Sequence, residues 1–147
     1  MSRDYRAPGP LVRRVLNPLV GALARRGLAP GDTAVLAVRG RRSGTLHTTP
    51  LTPVEVDGTR HLISPRGETD WVRNLRAAGG AAELRSGGRT EPVAATELDT
   101  AAAVPVLRAY LDGLGRAAAV LFDDVAPGAS DAELAAAAPR HPVFALA

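Results

Sequence analysis

The sequence predicts an antiparallel α+β domain whose strands curl into a small barrel, and three observations carry that prediction. Strand-like segments come in hairpin pairs, around Asp57-Gly58 and around Ser86-Gly87-Gly88. Helical periodicity is strongest at the two ends of the chain, which argues against a parallel nucleotide-binding sheet. The strand-like segment 46–56 carries Pro50 and Pro53, and a missing N–H is tolerated only at an edge or a bulge, so this strand is bent or pairs on one side. At 147 residues the chain is expected to form one domain, 1–147.

The elements follow in order. Over 9–28, apolar residues at 11, 12, 15, 16, 19, 20 and 23 alternate with Arg13, Arg14, Arg25 and Arg26, which gives an amphipathic, basic N-terminal helix stopped by Gly27 and Pro30. Asn17-Pro18 either starts its regular part or bends it. Such a helix covers an open face of the domain or lies weakly on an anionic membrane surface. Segments 33–39, 46–56 and 59–64 read as three adjacent strands. Segment 70–78 reads as a short helix with Trp71 and Leu75 inward, Asp70 as its cap and Gly79-Gly80 as its stop. Segments 81–85 and 90–98 form the second hairpin.

In the C-terminal third, Asp99 caps a helix whose regular part is expected to begin at Pro105, with Val106, Leu107, Tyr110, Leu111 and Leu114 as its buried stripe. Residues 122–128 read as a loop. Ser130 and Glu133 match a capping box that opens an alanine-rich helix, ended by Pro139. Segment 142–146 is the last strand.

Composition excludes several chemistries. All 18 basic residues are arginine, so neither a Schiff-base lysine nor a Walker-type lysine is available. The chain has no cysteine, which removes disulfides, thiolate catalysis and zinc–thiolate sites, and no metal site is expected. Two Phe, two Tyr and one Trp at a net charge of +3 do not suit stacked-base recognition, so a nucleic-acid partner is not expected and a small anionic ligand is. No apolar run is long enough to span a bilayer and the N-terminus does not resemble a cleaved signal, which makes the cytoplasm the expected compartment.

The segment 38–50, VRGRRSGTLHTTP, places three arginines and two glycines between two strands. Glycines let the backbone turn with N–H groups outward, and arginine offers a planar charged fork, so the segment reads either as an anion cradle or as a solvated basic hairpin. Segment 64–71, SPRGETDW, enters a helix and offers further free N–H groups.

The blocks RGRRSG and TTPL, the VDG hairpin, ISPRGETDWVRNLRAAGG and the terminal APRHPVFAL, in this order, resemble the deazaflavin-dependent nitroreductase family, flavin/deazaflavin oxidoreductases of the FMN-binding split-barrel-like fold. The resemblance implies a split β-barrel that binds coenzyme F420, with FMN as the alternative, and transfers hydride to a small electrophile of nitro, quinone or enone type. By that resemblance the coenzyme contacts fall on Arg41, Arg42, Ser43, Gly44, His47, Thr48, Thr49 and Pro50, and on Ser64, Pro65, Arg66, Gly67, Trp71 and Asn74. Arg66 and Asp70 are the candidate catalytic residues. Many relatives carry arginine where His47 stands, and the tyrosines of the best-known nitroreductases have no clear counterpart. Trp71 reads as core before it reads as a stacking surface, and Asn74 as a group that satisfies neighbouring backbone. The partner is a small-molecule substrate and the expected assembly is a monomer or homodimer. Two other readings stand beside this one: a diverged barrel that binds a lipid or hydrophobic metabolite, and a cofactor-free biosynthetic enzyme using the same pocket.

Overall fold

The computed structural model describes residues 34–147, so the helix read at 9–28 and Thr33 lie outside the described residues. Seven strands form one antiparallel sheet in the order β2-β1-β5-β6-β7-β4-β3. They are β1 (Ala34–Arg39), β2 (Leu46–Leu51), β3 (Val54–Val56), β4 (Thr59–Ile63), β5 (Ala81–Ser86), β6 (Arg89–Glu97) and β7 (Val143–Leu146). The helices are α1 (Asp70–Ala77), α2 (Thr100–Leu114), α3 (Ala118–Leu121) and α4 (Asp131–Ala137).

The single long strand read over 46–56 is broken in two. Proline can neither donate to a ladder nor continue flat pairing here, so Thr52 and the buried Pro53 form a corner, after which the chain pairs with β4 instead of β1. β2 and β3 therefore lie at opposite ends of the strand order, and the three segments expected to be adjacent form two separate pairs, β1 with β2 and β3 with β4. Three Cα steps from Leu51 to Val54 span at most ~11 Å. A seven-stranded sheet whose two ends are that close must curl round on itself, and because β2 and β3 do not pair, the result is a split β-barrel.

The hairpins are those the glycines specify. Asp57 and Gly58 both have positive φ (52° and 79°), as do Gly87 and Gly88 (56° and 76°), the backbone of the two-residue turn that matches strand twist.

Around β4 and β7 the sheet buries both faces. In the β4–β7 pair, Leu62 and Phe144 face one cluster with Leu36, Val38, Trp71, Val72, Leu75 and Leu84, and Ile63 and Val143 face the other with Val106, Leu107, Leu111, Phe122 and Leu134. Helix α1 covers the first cluster and α2 with α4 the second. Trp71 is core, 5 % exposed, with its ring 5.9 Å from that of Phe144. Tyr110 meets Phe122 edge-on at 5.9 Å, and desolvation pushes its hydroxyl up to about 12.

Two helix starts are instructive. Asp99 caps α2 through a bond from the Ala102 N–H (2.8 Å), and the helix is regular from Thr100, not from Pro105. The N–H that Pro105 lacks would have served the carbonyl of Ala101, an exposed residue that water can reach, so the proline is accommodated. Ser130 and Glu133 form the expected reciprocal box, each bond 3.1 Å. Among the described residues no helix is long and apolar enough to cross a membrane, and no group of three or more His, Asp or Glu is placed to hold a metal ion.

Gly80 shows how tightly α1 is returned to the sheet. Its φ is +87° and a Cβ there would lie 2.0 Å from the Ala95 carbonyl oxygen, whereas Gly79 (φ +65°) has open space. Gly80→Ala is expected to cost at least ~2 kcal/mol and Gly79→Ala about 1 kcal/mol. Denaturant midpoints of the two variants check this, and equal losses would contradict it.

Candidate functional site

The turn between β1 and β2 is closed largely from within. Gly40 N–H donates to the Thr45 carbonyl (2.7 Å), Gly44 N–H to the Gly40 carbonyl (2.9 Å), and Thr45 N–H to Ser43 Oγ (3.1 Å). Arg39 Nη1 adds a bond to the Gly44 carbonyl (3.2 Å), and Gly44 supplies the left-handed step at φ +72°. These bonds use the amides of both glycines, which the sequence was expected to turn outward, and of Thr45. Those of Arg42 and Ser43 keep no partner among the described residues.

One side-chain oxygen fixes this turn to α1. Asn74 is buried, and its Oδ1 accepts from the Arg41 N–H (3.1 Å) and from Arg41 Nη1 (2.8 Å). The same Nη1 lies 3.5 Å from Asp70 Oδ1. Arg41 is therefore engaged by the protein, while the exposed Arg42 guanidinium makes no ion pair among the described residues.

Around this junction Gly40, Arg41, Arg42, Ser43, His47, Thr48, Thr49, Asp70, Trp71 and Asn74 line a groove of about 550 Å³. Its walls come from the β1–β2 turn with the start of β2 on one side and the first two turns of α1 on the other. His47 closes over Gly40 so tightly that a Cβ on Gly40 would lie 2.6 Å from the ring Nε2. Gly40 is a lining residue that residue-by-residue reading passed over, although its position at the start of the GRRSG turn was the available signal.

Not every residue singled out from the sequence lines this groove. Gly44 shapes the turn and Pro50 lies farther along β2. Ser64, Pro65, Arg66 and Gly67 form a second turn whose polar groups are used locally: Ser64 Oγ donates to the Gly67 carbonyl (2.6 Å), Gly67 N–H to the Ser64 carbonyl (3.3 Å) and Thr69 N–H to the Gly67 carbonyl (2.9 Å). Arg66 is exposed there. Asp70 is not the helix cap. Thr69, extended at φ −75° and ψ 173°, takes the cap position without a side-chain bond, and Asp70 is the first helical residue, with its carboxylate towards Arg41.

A second polar junction, which the sequence did not disclose, ties the 64–67 turn to the C-terminus. His141 is buried; its Nδ1 is 2.9 Å from the Pro65 carbonyl and its Nε2 2.8 Å from Asp124 Oδ1, while its ring meets Phe122 edge-on at 4.8 Å. Both ring nitrogens thus stand within hydrogen-bond distance of an oxygen from another part of the chain. Arg140 joins through Nε and Nη2 to Asp124 Oδ2 (2.9 and 2.8 Å). Burial pushes the Asp124 carboxyl up, but the hydrogen bonds from His141 and Arg140 together outweigh it and hold the group below its ordinary value of 3.8.

Comparison with known proteins was informative at the level of family and fold. The family described as F420H(2)-dependent quinone reductase matches residues 14–113. A solved F420-H2 dependent reductase, FDR-A, is 19% identical with a TM-score of 0.54, over 78% of this chain and 93% of that one, and this likeness supports the fold. A domain-swapped dimer (19% identity, TM-score 0.47, 78% and 79% covered) and a FAD-binding protein from Mesorhizobium loti (17%, 0.47, 96% and 90%) are more distant in shape. No curated protein matches the sequence.

Two expectations follow from the junctions. Asn74→Ala leaves the Arg41 N–H without its acceptor and should cost roughly 1–3 kcal/mol, while Arg42→Ala should stay within about 0.5 kcal/mol of wild type in chemical denaturation. For Asp124, whose folded value is lowered, the stabilisation is complete above about pH 4 and is lost as pH falls through the folded value, because the unfolded chain takes up the proton first. Acid titration of the denaturation midpoint should therefore fall more steeply for wild type than for Asp124→Asn, and parallel curves would contradict the assignment.

Proposed function

The chain belongs to the F420H(2)-dependent quinone reductase family, which makes it an F420-dependent oxidoreductase of the split-barrel fold, and from that premise we propose that the groove beside the β1–β2 turn seats the anionic portion of the coenzyme. The observation that carries this reading is the pairing of a cation and amides that are uncommitted among the described residues: Arg42 and the Arg42 and Ser43 N–H groups stand together at a groove also lined by Thr48 and Thr49. That donor set fits a phosphodiester and carboxylates, which take charge-assisted bonds from guanidinium and backbone N–H alike.

When bound, the reduced coenzyme supplies the hydride, so the protein needs no nucleophile, triad or metal of its own. The residues of this chain would do the rest. Arg42 holds the anionic tail; the Arg41–Asn74 bonds keep the turn at a fixed distance from α1; the Trp71 indole gives the floor an apolar surface; and His47, seated on Gly40, narrows one side. Fixing the coenzyme by its remote tail orients the reacting ring before substrate arrives. Of the two residues singled out for chemistry, Asp70 lines the groove and Arg66 does not, so only Asp70 is retained at this site. The hydride acceptor in this reading is a small electrophile of quinone, nitro or enone type.

Titration of the protein with coenzyme F420, the tailless deazaflavin and FMN tests the reading. Tailed F420 should bind best and weaken as salt rises. Arg42→Ala should weaken it about tenfold or more, whereas Arg66→Ala should leave it within about twofold. Equal affinity for tailed and tailless rings would refute the assignment of the groove, and preference for FMN would refute the choice of coenzyme.

A further inference from the structure

Among the described residues, three buried side-chain atoms have no hydrogen-bond partner: His61 Nδ1, Thr69 Oγ1 and Asp70 Oδ1. Only the last belongs to a residue lining the groove. A carboxylate oxygen taken from water without a donor is destabilising, and the nearby guanidinium does not relieve it fully. Arg41 Nη1 stands 3.5 Å away, within reach of charge attraction but beyond a good hydrogen bond, and it already donates to Asn74 Oδ1 at 2.8 Å. Asn74 Oδ1 takes the donor that Arg41 would otherwise offer, so among the described residues this buried carboxylate oxygen is left without a hydrogen bond.

An unsatisfied anionic acceptor is unexpected in a groove for an anion, since like charge repels the very group that Arg42 attracts. The contradiction is resolved if the ligand is mixed in character, an anion at one end and a neutral donor near Asp70. We propose that Asp70 is a recognition residue that accepts a hydrogen bond from a hydroxyl or ring N–H of the bound coenzyme, while Arg42 and the Arg42 and Ser43 amides take its phosphate. The inference rests on the coenzyme reading above. A deazaflavin nucleotide carries both kinds of group, polyol hydroxyls and ring N–H beside a phosphodiester, whereas inorganic phosphate offers only the anion. Asp70 thereby rejects simple anions and admits ligands with a donor at the right place, which is specificity by an unpaired buried group.

The two roles open to Asp70 predict opposite signs. If it accepts a hydrogen bond from the coenzyme, Asp70→Asn should weaken F420 about tenfold or more. The tailless deazaflavin, which keeps the ring and the polyol, should weaken by a similar factor. Inorganic phosphate, relieved of the repulsion, should bind as tightly as before or tighter. If Asp70 is only a like charge in the groove, the same substitution should tighten F420 and phosphate together. Isothermal titration of wild type, Asp70→Asn and Asp70→Ala with the three ligands separates these outcomes, with thermal melts of the unliganded proteins confirming that each variant is folded. Unchanged or tighter F420 binding in both variants overturns the inference while leaving the coenzyme reading intact. Failure of wild type to bind F420 at all overturns the coenzyme reading and this inference with it.

Discussion

A two-residue link governs the architecture. Thr52 and Pro53 join strands at opposite ends of a seven-strand order, and no open, flat sheet satisfies that distance. Closure follows from chain connectivity, and the helices are then obliged to cover what the curled sheet leaves open. Helix α1, entering from β4 and leaving into β5, packs against β1, and this is what brings Asn74 to the β1–β2 turn. The groove is a consequence of that contact and could not be built from the turn alone.

The turn illustrates the difference between a charged segment and a site. Four of its neighbouring polar groups are consumed in holding it together, and Arg41, which by composition resembles a ligand-binding arginine, is held by the buried Asn74 carboxamide. Among the described residues what remains is small: one exposed guanidinium, two amides and an unsatisfied carboxylate oxygen. A wide basic patch attracts any anion; a site with few uncommitted groups at fixed separations discriminates, because each group is satisfied only by a ligand with its complement at the same spacing.

Much of this was legible beforehand where the signal is local. Asp57-Gly58 and Gly87-Gly88 dictate their own turns, Ser130 and Glu133 find each other three residues apart, and Trp71 with Leu75 shows its inward face by periodicity. That RGRRSG and TTP lie beside one another was readable because a single hairpin joins them within a dozen positions. What was hidden is what depends on distant pairing. A proline in a strand announces an interruption but not its direction, so 46–56 read as one bent strand beside its neighbours. Nothing near His141 in sequence reveals that its partners are Pro65 and Asp124, 76 and 17 residues away. Asp70 was misassigned as a cap because capping is judged from residue type, whereas Thr69, with its extended backbone, takes that place.

Among the described residues the split in the barrel leaves two unpaired strand edges, and each is blunted. Pro50 lies in β2 opposite Val35, and a proline has no N–H to offer to a further strand. β3, at the other end, is only three residues long. An incoming extended chain would meet a gap in the donor row at one edge and too short a template at the other, which is how open sheets avoid recruiting copies of themselves. The residue that made the strand hard to read from sequence is thus also a safeguard against edge-to-edge aggregation beside the groove.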